Sequence, residues 1–260
     1  MPISASRFLF RQAGFTFLEF IIVVALMATV YVVAVPNLNL TRTADLERKV
    51  GQVAVDFKSA YDMAVLTGKP HRLVFHVISG DYWLEETEVR DFTFSTDGEG
   101  RDLSPREQKE NLEAFEADFE EYVELAGEEI EDSENERVFT PESPVVQAKK
   151  RLQPAQWSRV STSEWKKRSL GPELLLMDIE AEHHTHPIKL DPTNEEQVAM
   201  IYFFPAGYVE RAVLHVGLDG GDYQIDDSQP PYTMTTSPYQ GVLNIESGYE
   251  EVDVHDDRQK

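Results

Sequence analysis

Three groups of residues have types and spacings that could do chemistry. His183-His184-x-His186 sets three imidazoles within four positions, a spacing from which a loop or strand can offer two or three nitrogens to one transition-metal ion. Asp219-Gly220-Gly221-Asp222 and the nearby Asp226-Asp227 offer carboxylate oxygens of the kind calcium takes, but without the D-x-[DN]-x-[DN]-G spacing of an EF-hand. Neither has the surroundings of a metal centre. The histidines lack an H-E-x-x-H frame and any cysteine, and the aspartates sit among turn-forming glycines, so both groups are expected to be structural and the metal assignment is none. The third group is a single acid, Glu19, inside an otherwise uncharged apolar run.

No G-x-S-x-G elbow, P-loop or G-x-G-x-x-G run follows a strand-like segment. Among 47 acids, neighbouring carboxylates arise by chance, so no general acid or base is assigned, no cofactor is expected, and the chain is read as a non-enzyme. A net charge of −23 opposes binding to nucleic-acid phosphates. The absence of cysteine excludes a disulfide framework and a thiolate nucleophile.

The element that positions Glu19 is the run from Phe15 to Val35, FTFLEFIIVVALMATVYVVAV, 21 residues with one charge. As a helix it would be about 32 Å long, enough to span a bilayer. The preceding 14 residues carry only Arg7 and Arg11 as charges, which favours a cytoplasmic amino terminus and an exported remainder. The run is too long for a secretory signal core and no A-x-A cleavage site follows it. A carboxylate deep in such a helix costs about 2.5 to 3.5 kcal/mol on insertion scales, so a compensating cation is expected. Cleavage after Gly14 would supply one, the α-amino group of Phe15, and a cation on a neighbouring copy could serve equally well.

Gly14-Phe15-Thr16-Phe17-Leu18-Glu19 followed by a long apolar helix resembles the class III signal of type IV prepilins and type II secretion pseudopilins. The resemblance implies cleavage between Gly14 and Phe15 by a prepilin peptidase, N-methylation of Phe15, and a subunit-assembly role for Glu19 through the terminal amine of an adjacent subunit. Pro36 falls where many members of the family kink or melt this helix. Phe17 and Phe20 are bulkier than the usual aliphatics, and the leader is longer than in many type IV pilins.

Beyond Pro36, Leu46, Val50, Val53, Phe57, Tyr61 and Ala64 or Val65 recur at three and four residues, one buried helical face. Gly68 and Pro70 should stop this helix near Leu66. A β-hairpin is expected over 71–78 and 82–86, and further antiparallel strands over 173–179, 198–204, 209–216, 223–225 and 242–245. The expected fold class is α+β, a long N-terminal transmembrane helix continuing into a periplasmic domain whose antiparallel sheet covers the lower half of the helix. The domain plan is a cleaved leader 1–14, a transmembrane helix 15–35, its periplasmic continuation 36–67, and a globular domain 68–260 with a charged insertion at about 104–170. Residues 107–136 of that insertion hold fourteen acids against one base, with Leu112, Phe115, Phe119 and Tyr122 on one helical face. Residues 149–168 hold seven bases against Glu164. Attraction between the two halves is one reading and a solvated insert the other. Either way the insertion is expected to be peripheral, with 125–145 exposed.

Helix, hairpin, Tyr202-Phe203-Phe204-Pro205-Ala206-Gly207 and a closing Tyr239-Gln240-Gly241-Val242-Leu243-Asn244-Ile245, in that order, resemble the GspH/FimT family, the H-type minor pseudopilins. The resemblance covers about residues 10–90 and 170–250. It implies a structural subunit at or near the tip of a periplasmic pseudopilus that supports protein export across the outer membrane. The implied partners are other minor pseudopilins, the major pseudopilin, prepilin peptidase, the inner-membrane assembly platform and inner-membrane lipid, with no nucleic acid. The implied location is the bacterial inner membrane, crossed once, with the amino terminus cytoplasmic and the domain periplasmic. A FimT-like minor type IV pilin, acting in pilus assembly, adhesion or DNA uptake, and a membrane-anchored periplasmic enzyme or binding protein remain as alternatives.

Overall fold

The computed structural model describes residues 17–126, 149, 153–162 and 165–256, without the side chains of 32–41 and 122–126. The chain divides into two compact units, Met1–Asp45 and Leu46–Lys260. Helix α1, Phe17–Thr67, contributes to both.

In the first unit α1 exposes apolar side chains around its circumference, including Leu18, Phe20, Ile21, Leu26, Met27 and Val30. Among the described residues no helix is long and apolar enough to cross a membrane. The span expected at 15–35 lies only partly on them, because Phe15, Thr16 and the side chains of 32–35 fall outside, as does the leader 1–14. The helix runs on through Pro36, the continuation expected over 36–67, at the position where many members of the resembled family kink or melt it. One proline removes one N–H from the ladder, which a helix 51 residues long can absorb.

In the second unit α1 buries Leu46, Val50, Val53, Phe57, Ala60 and Ala64. Ala60 replaces Tyr61 on the core face. Tyr61 stands at its margin, where its hydroxyl donates to the carbonyls of Gly207 (3.1 Å) and Tyr239 (3.2 Å). The helix ends as expected, with the Gly68 N–H returning to the Ala64 carbonyl at 3.1 Å and Gly68 at φ 67°.

Two sheets pack on this helix where one was expected. The first runs β3-β2-β1-β7-β8, with β4 also on β2. Its strands are β1 His71–His76, β2 Asp81–Glu86, β3 Ser158–Arg159, β4 Arg168–Ser169, β7 Val198–Phe204 and β8 Tyr208–Val209. The second runs β12-β11-β9-β5-β6 with β10 on β9. It comprises β5 Leu174–Ala181, β6 Ile188–Lys189, β9 Ala212–Gly221, β10 Gln224–Ile225, β11 Tyr232–Ser237 and β12 Val242–Ser247. All pairings are antiparallel.

Alternation along the strands decides what each face buries. Leu73, Phe75, Tyr82, Leu84, Ala199, Ile201 and Phe203 join the main core with α1, while Val74, Trp83, Val198, Met200 and Tyr202 form a second cluster on the other face of the first sheet. In β5 the register shifts between Leu176 and Asp178, which makes Met177 an extra residue. That bulge is why Leu174 and Leu176, then Ile179 and Ala181, all reach the core despite their change of parity.

The insertion is part peripheral and part core, which corrects the expectation. Helix α2, Pro105–Ala126, has a capping box: Ser104 Oγ accepts the Glu107 N–H (3.3 Å) and Glu107 Oε2 accepts the Ser104 N–H (2.7 Å). Its stripe of Leu112, Phe115 and Phe119 is half-buried and the remaining side chains from Pro105 to Glu121 are mostly exposed. The Tyr122 side chain and the acidic stretch 127–148 lie outside what is described. The basic return, by contrast, adds β3 and β4 to β2 and buries Val160, Trp165 and Leu170. Two of its cations meet acids of the globule: Lys167 lies 2.6 Å from Asp81 and Arg168 3.0 Å from Asp56. Lys149 of the basic half stands over the Phe119 ring of α2 at 5.2 Å.

Gly241 closes the β11–β12 hairpin at φ 61°, and a Cβ there would stand 2.0 Å from Tyr61 Cγ. Gly241→Ala combines a left-handed backbone with a clash against a ring fixed by two hydrogen bonds. The expected loss is about 2 to 4 kcal/mol, read by urea unfolding of the full chain in detergent. A loss under about 0.5 kcal/mol would mean that the hairpin does not seat on Tyr61 as described.

Candidate functional site

The processing residues Gly14 and Phe15 lie outside the described residues, and Glu19 stands in the first turn of α1. The histidine group is where the structure adds most.

The chain leaves β8 at Val209, crosses between the sheets at Glu210 and Arg211, and enters β9 at Ala212. The single strand expected over 209–216 is broken there because Glu210 turns its side chain inward. On the side of β7 away from β1, the N–H groups of Met200 and Tyr202 have no partner strand, since β8 pairs only with Phe203 and Phe204. Two carboxylates take that place. Asp102 Oδ2 accepts the Met200 N–H at 2.7 Å and Glu210 Oε1 accepts the Tyr202 N–H at 2.6 Å.

His183 joins the two acids, with Nδ1 2.7 Å from Glu210 Oε2 and Nε2 3.0 Å from Asp102 Oδ1. His184 Nε2 lies 2.8 Å from Asp102 Oδ2, while its Nδ1 accepts the Ala181 N–H at 3.0 Å. Phe94 stacks on His183 with ring centroids 4.8 Å apart. The side chains of His183, His184, Asp102 and Glu210 are 1%, 0%, 0% and 3% exposed.

Burial disfavours a charged His183, but Glu210 and Asp102 outweigh it and raise its pKa to about 10. Burial likewise opposes the Asp102 carboxylate, yet hydrogen bonds from His183 and His184 hold its pKa below the ordinary value. Glu210 goes the other way: burial raises its pKa despite His183. The cluster is therefore a buried imidazolium clamped between two acids.

Asp102, His183 and His184 offer ligand atoms within 4.8 Å of one another. Their donor chemistry does not suit an ion. A neutral imidazole has one lone pair, and His184 uses it on the Ala181 N–H, which leaves Nε2 protonated toward Asp102. Both nitrogens of His183 face carboxylates and carry protons as well. His186, the third histidine of the sequence group, is exposed and outside the cluster. The arrangement substitutes for a missing strand on the β7 edge. Asp102 and Glu210, the acids that define it, were not singled out from sequence.

The aspartate group forms turns. Asp219 Oδ1 accepts the Gly221 N–H at 2.8 Å and Asp226 Oδ1 the Ser228 N–H at 3.0 Å, with Asp222 and Tyr223 at positive φ.

No family model and no curated protein matches the sequence. Two solved structures, both of the minor pseudopilin EpsH from the type 2 secretion system of Vibrio cholerae, are similar to this chain. The first is 9% identical with a TM-score of 0.38, covering 78% of this chain and 97% of that one. The second is 10% identical with a TM-score of 0.40, covering 80% and 98%. Likenesses this weak assign no function.

Proposed function

We propose that the chain is a minor pseudopilin of a type II protein secretion system, a structural subunit at or near the pseudopilus tip that supports export across the outer membrane. The observation that carries the reading is α1. Its first turns expose apolar side chains on every side, and a helix apolar all round needs lipid or protein about it. Its later turns form the buried spine of an α+β domain. The first requirement is met by the inner membrane before assembly and by neighbouring helices afterwards, which is how a filament subunit uses such a segment. Prepilin peptidase would cut between Gly14 and Phe15, Phe15 would be N-methylated, and Glu19 would meet the amine of an adjacent subunit. The partners are other minor pseudopilins, the major pseudopilin and the inner-membrane assembly platform, with the folded domain in the periplasm.

Deleting the gene and complementing it in trans tests this directly. The expected result is loss of outer-membrane export with surface pili unchanged, and recovery on complementation. Loss of pili with export intact would replace the reading with a FimT-like minor type IV pilin. A strain unaffected in both would leave a membrane-anchored periplasmic protein.

A further inference from the structure

The second sheet ends in β12, and among the described residues no strand pairs with its outer side. The phase of the ladder shows which groups are open. The Gly248 N–H donates to the Pro231 carbonyl at 2.7 Å, in register with the β11–β12 pairs Thr233↔Glu246, Thr235↔Asn244 and Ser237↔Val242. Those residues turn their backbone groups toward β11, so Leu243, Ile245 and Ser247 turn theirs outward, about 6.8 Å apart.

The side chains at this edge differ between its two faces. Ile245 is on the core side with Leu243 and opposite the buried Met234, yet it is 39% exposed, because among the described residues no strand lies beyond β12. On the other face stands Glu246, and Glu250 is held beside it. Thr233 Oγ1 accepts the Glu250 N–H at 3.0 Å, and the Glu250 carbonyl is 3.0 Å from His215 Nε2. The hydrogen bond and the negative charge of Glu246 raise the pKa of Glu250. Two carboxylates are thus pinned together on an exposed face, a placement that a cation would relieve.

We propose that the open edge of β12 takes an extended segment of another protein chain that alternates apolar residues with lysine or arginine. Its backbone would pair with Leu243, Ile245 and Ser247, its apolar side chains would cover Ile245 and extend the core face, and its cations would meet Glu246 and Glu250. A second copy of this chain is a poor occupant. Pairing β12 with itself brings the same acids of both copies together, and each chain carries a net charge of −23. The proposal does not depend on the filament reading.

The probe is a capped peptide alternating valine and lysine, added to the full chain in detergent micelles and followed by residue-resolved amide hydrogen exchange. Protection of Leu243, Ile245 and Ser247 is expected to rise about tenfold or more, with little change at Asn244 and Glu246, whose N–H groups already face β11. The same peptide N-methylated at alternate residues should fail to protect them. Ile245→Pro removes an outward N–H and a half-covered edge side chain but no β11–β12 hydrogen bond, so it should lower the melting temperature by only a few degrees and abolish binding. Glu246→Lys should weaken binding about tenfold. No added protection at saturating peptide, or equal binding of the N-methylated peptide, would overturn the proposal.

Discussion

Glu19→Val is expected to leave membrane insertion intact or improved and to cut incorporation into the filament or tip complex by at least about tenfold. The first part follows from removing an acid that costs about 2.5 to 3.5 kcal/mol in an apolar helix. The second follows from the proposed pairing: in a low-dielectric bundle, losing one partner of an ion pair leaves the other charge stranded, at about 3 to 5 kcal/mol. The opposite signs make the experiment informative, since a general defect in folding or export would lower both quantities. Fractionation measures insertion, and pull-down with the other filament subunits measures assembly. Equal assembly of Glu19→Val and the parent would refute the role assigned to Glu19.

Asp102→Ala is expected to cost about 4 kcal/mol, among the largest single losses in the domain. The substitution removes the acceptor for the Met200 N–H and for both histidines at once. His183 then keeps its charge with Glu210 alone, in a site closed to water. The pH dependence has a definite sign. His183 has its pKa raised to about 10, so its contribution is complete below the ordinary histidine value and is lost as pH rises toward 10. Asp102, with a lowered pKa, contributes above the ordinary aspartate value and loses that contribution as pH falls. Glu210, its pKa raised by burial, works in the same direction as His183: what its protonated form contributes is complete below the ordinary glutamate value and is lost as pH rises. Unfolding free energy in urea should therefore fall by a few kcal/mol between about pH 6.5 and 10, and His183→Gln should flatten that slope. A His183→Gln profile parallel to the parent would place the alkaline loss elsewhere.

What the sequence made legible was local. The core face of α1 could be read because Leu46, Val50, Val53, Phe57 and Ala64 keep helical spacing, and the first hairpin because Ser79-Gly80-Asp81 separates two apolar runs. Strand β11 could not be read, since Tyr232-Thr233-Met234-Thr235-Thr236-Ser237 has one aliphatic side chain and reads as polar. Its burial comes from its place between β9 and β12. Trp165 and Leu170 were hidden inside a charged segment, and only pairing with β2 makes that segment part of the core. The histidine pair was visible, but its partners are distant in sequence: Glu210 is 27 residues from His183 and Asp102 is 81. The signal that could have found Glu210 was an acid between two runs too apolar for a loop.

Whether the chain is handled as a prepilin and assembled through its first helix is decided by the mass of the amino terminus in protein extracted from membranes of a strain with active prepilin peptidase. The expected mature chain begins at Phe15 and carries one methyl group on its amine. A chain retaining Met1, or one beginning beyond Val35, would contradict it.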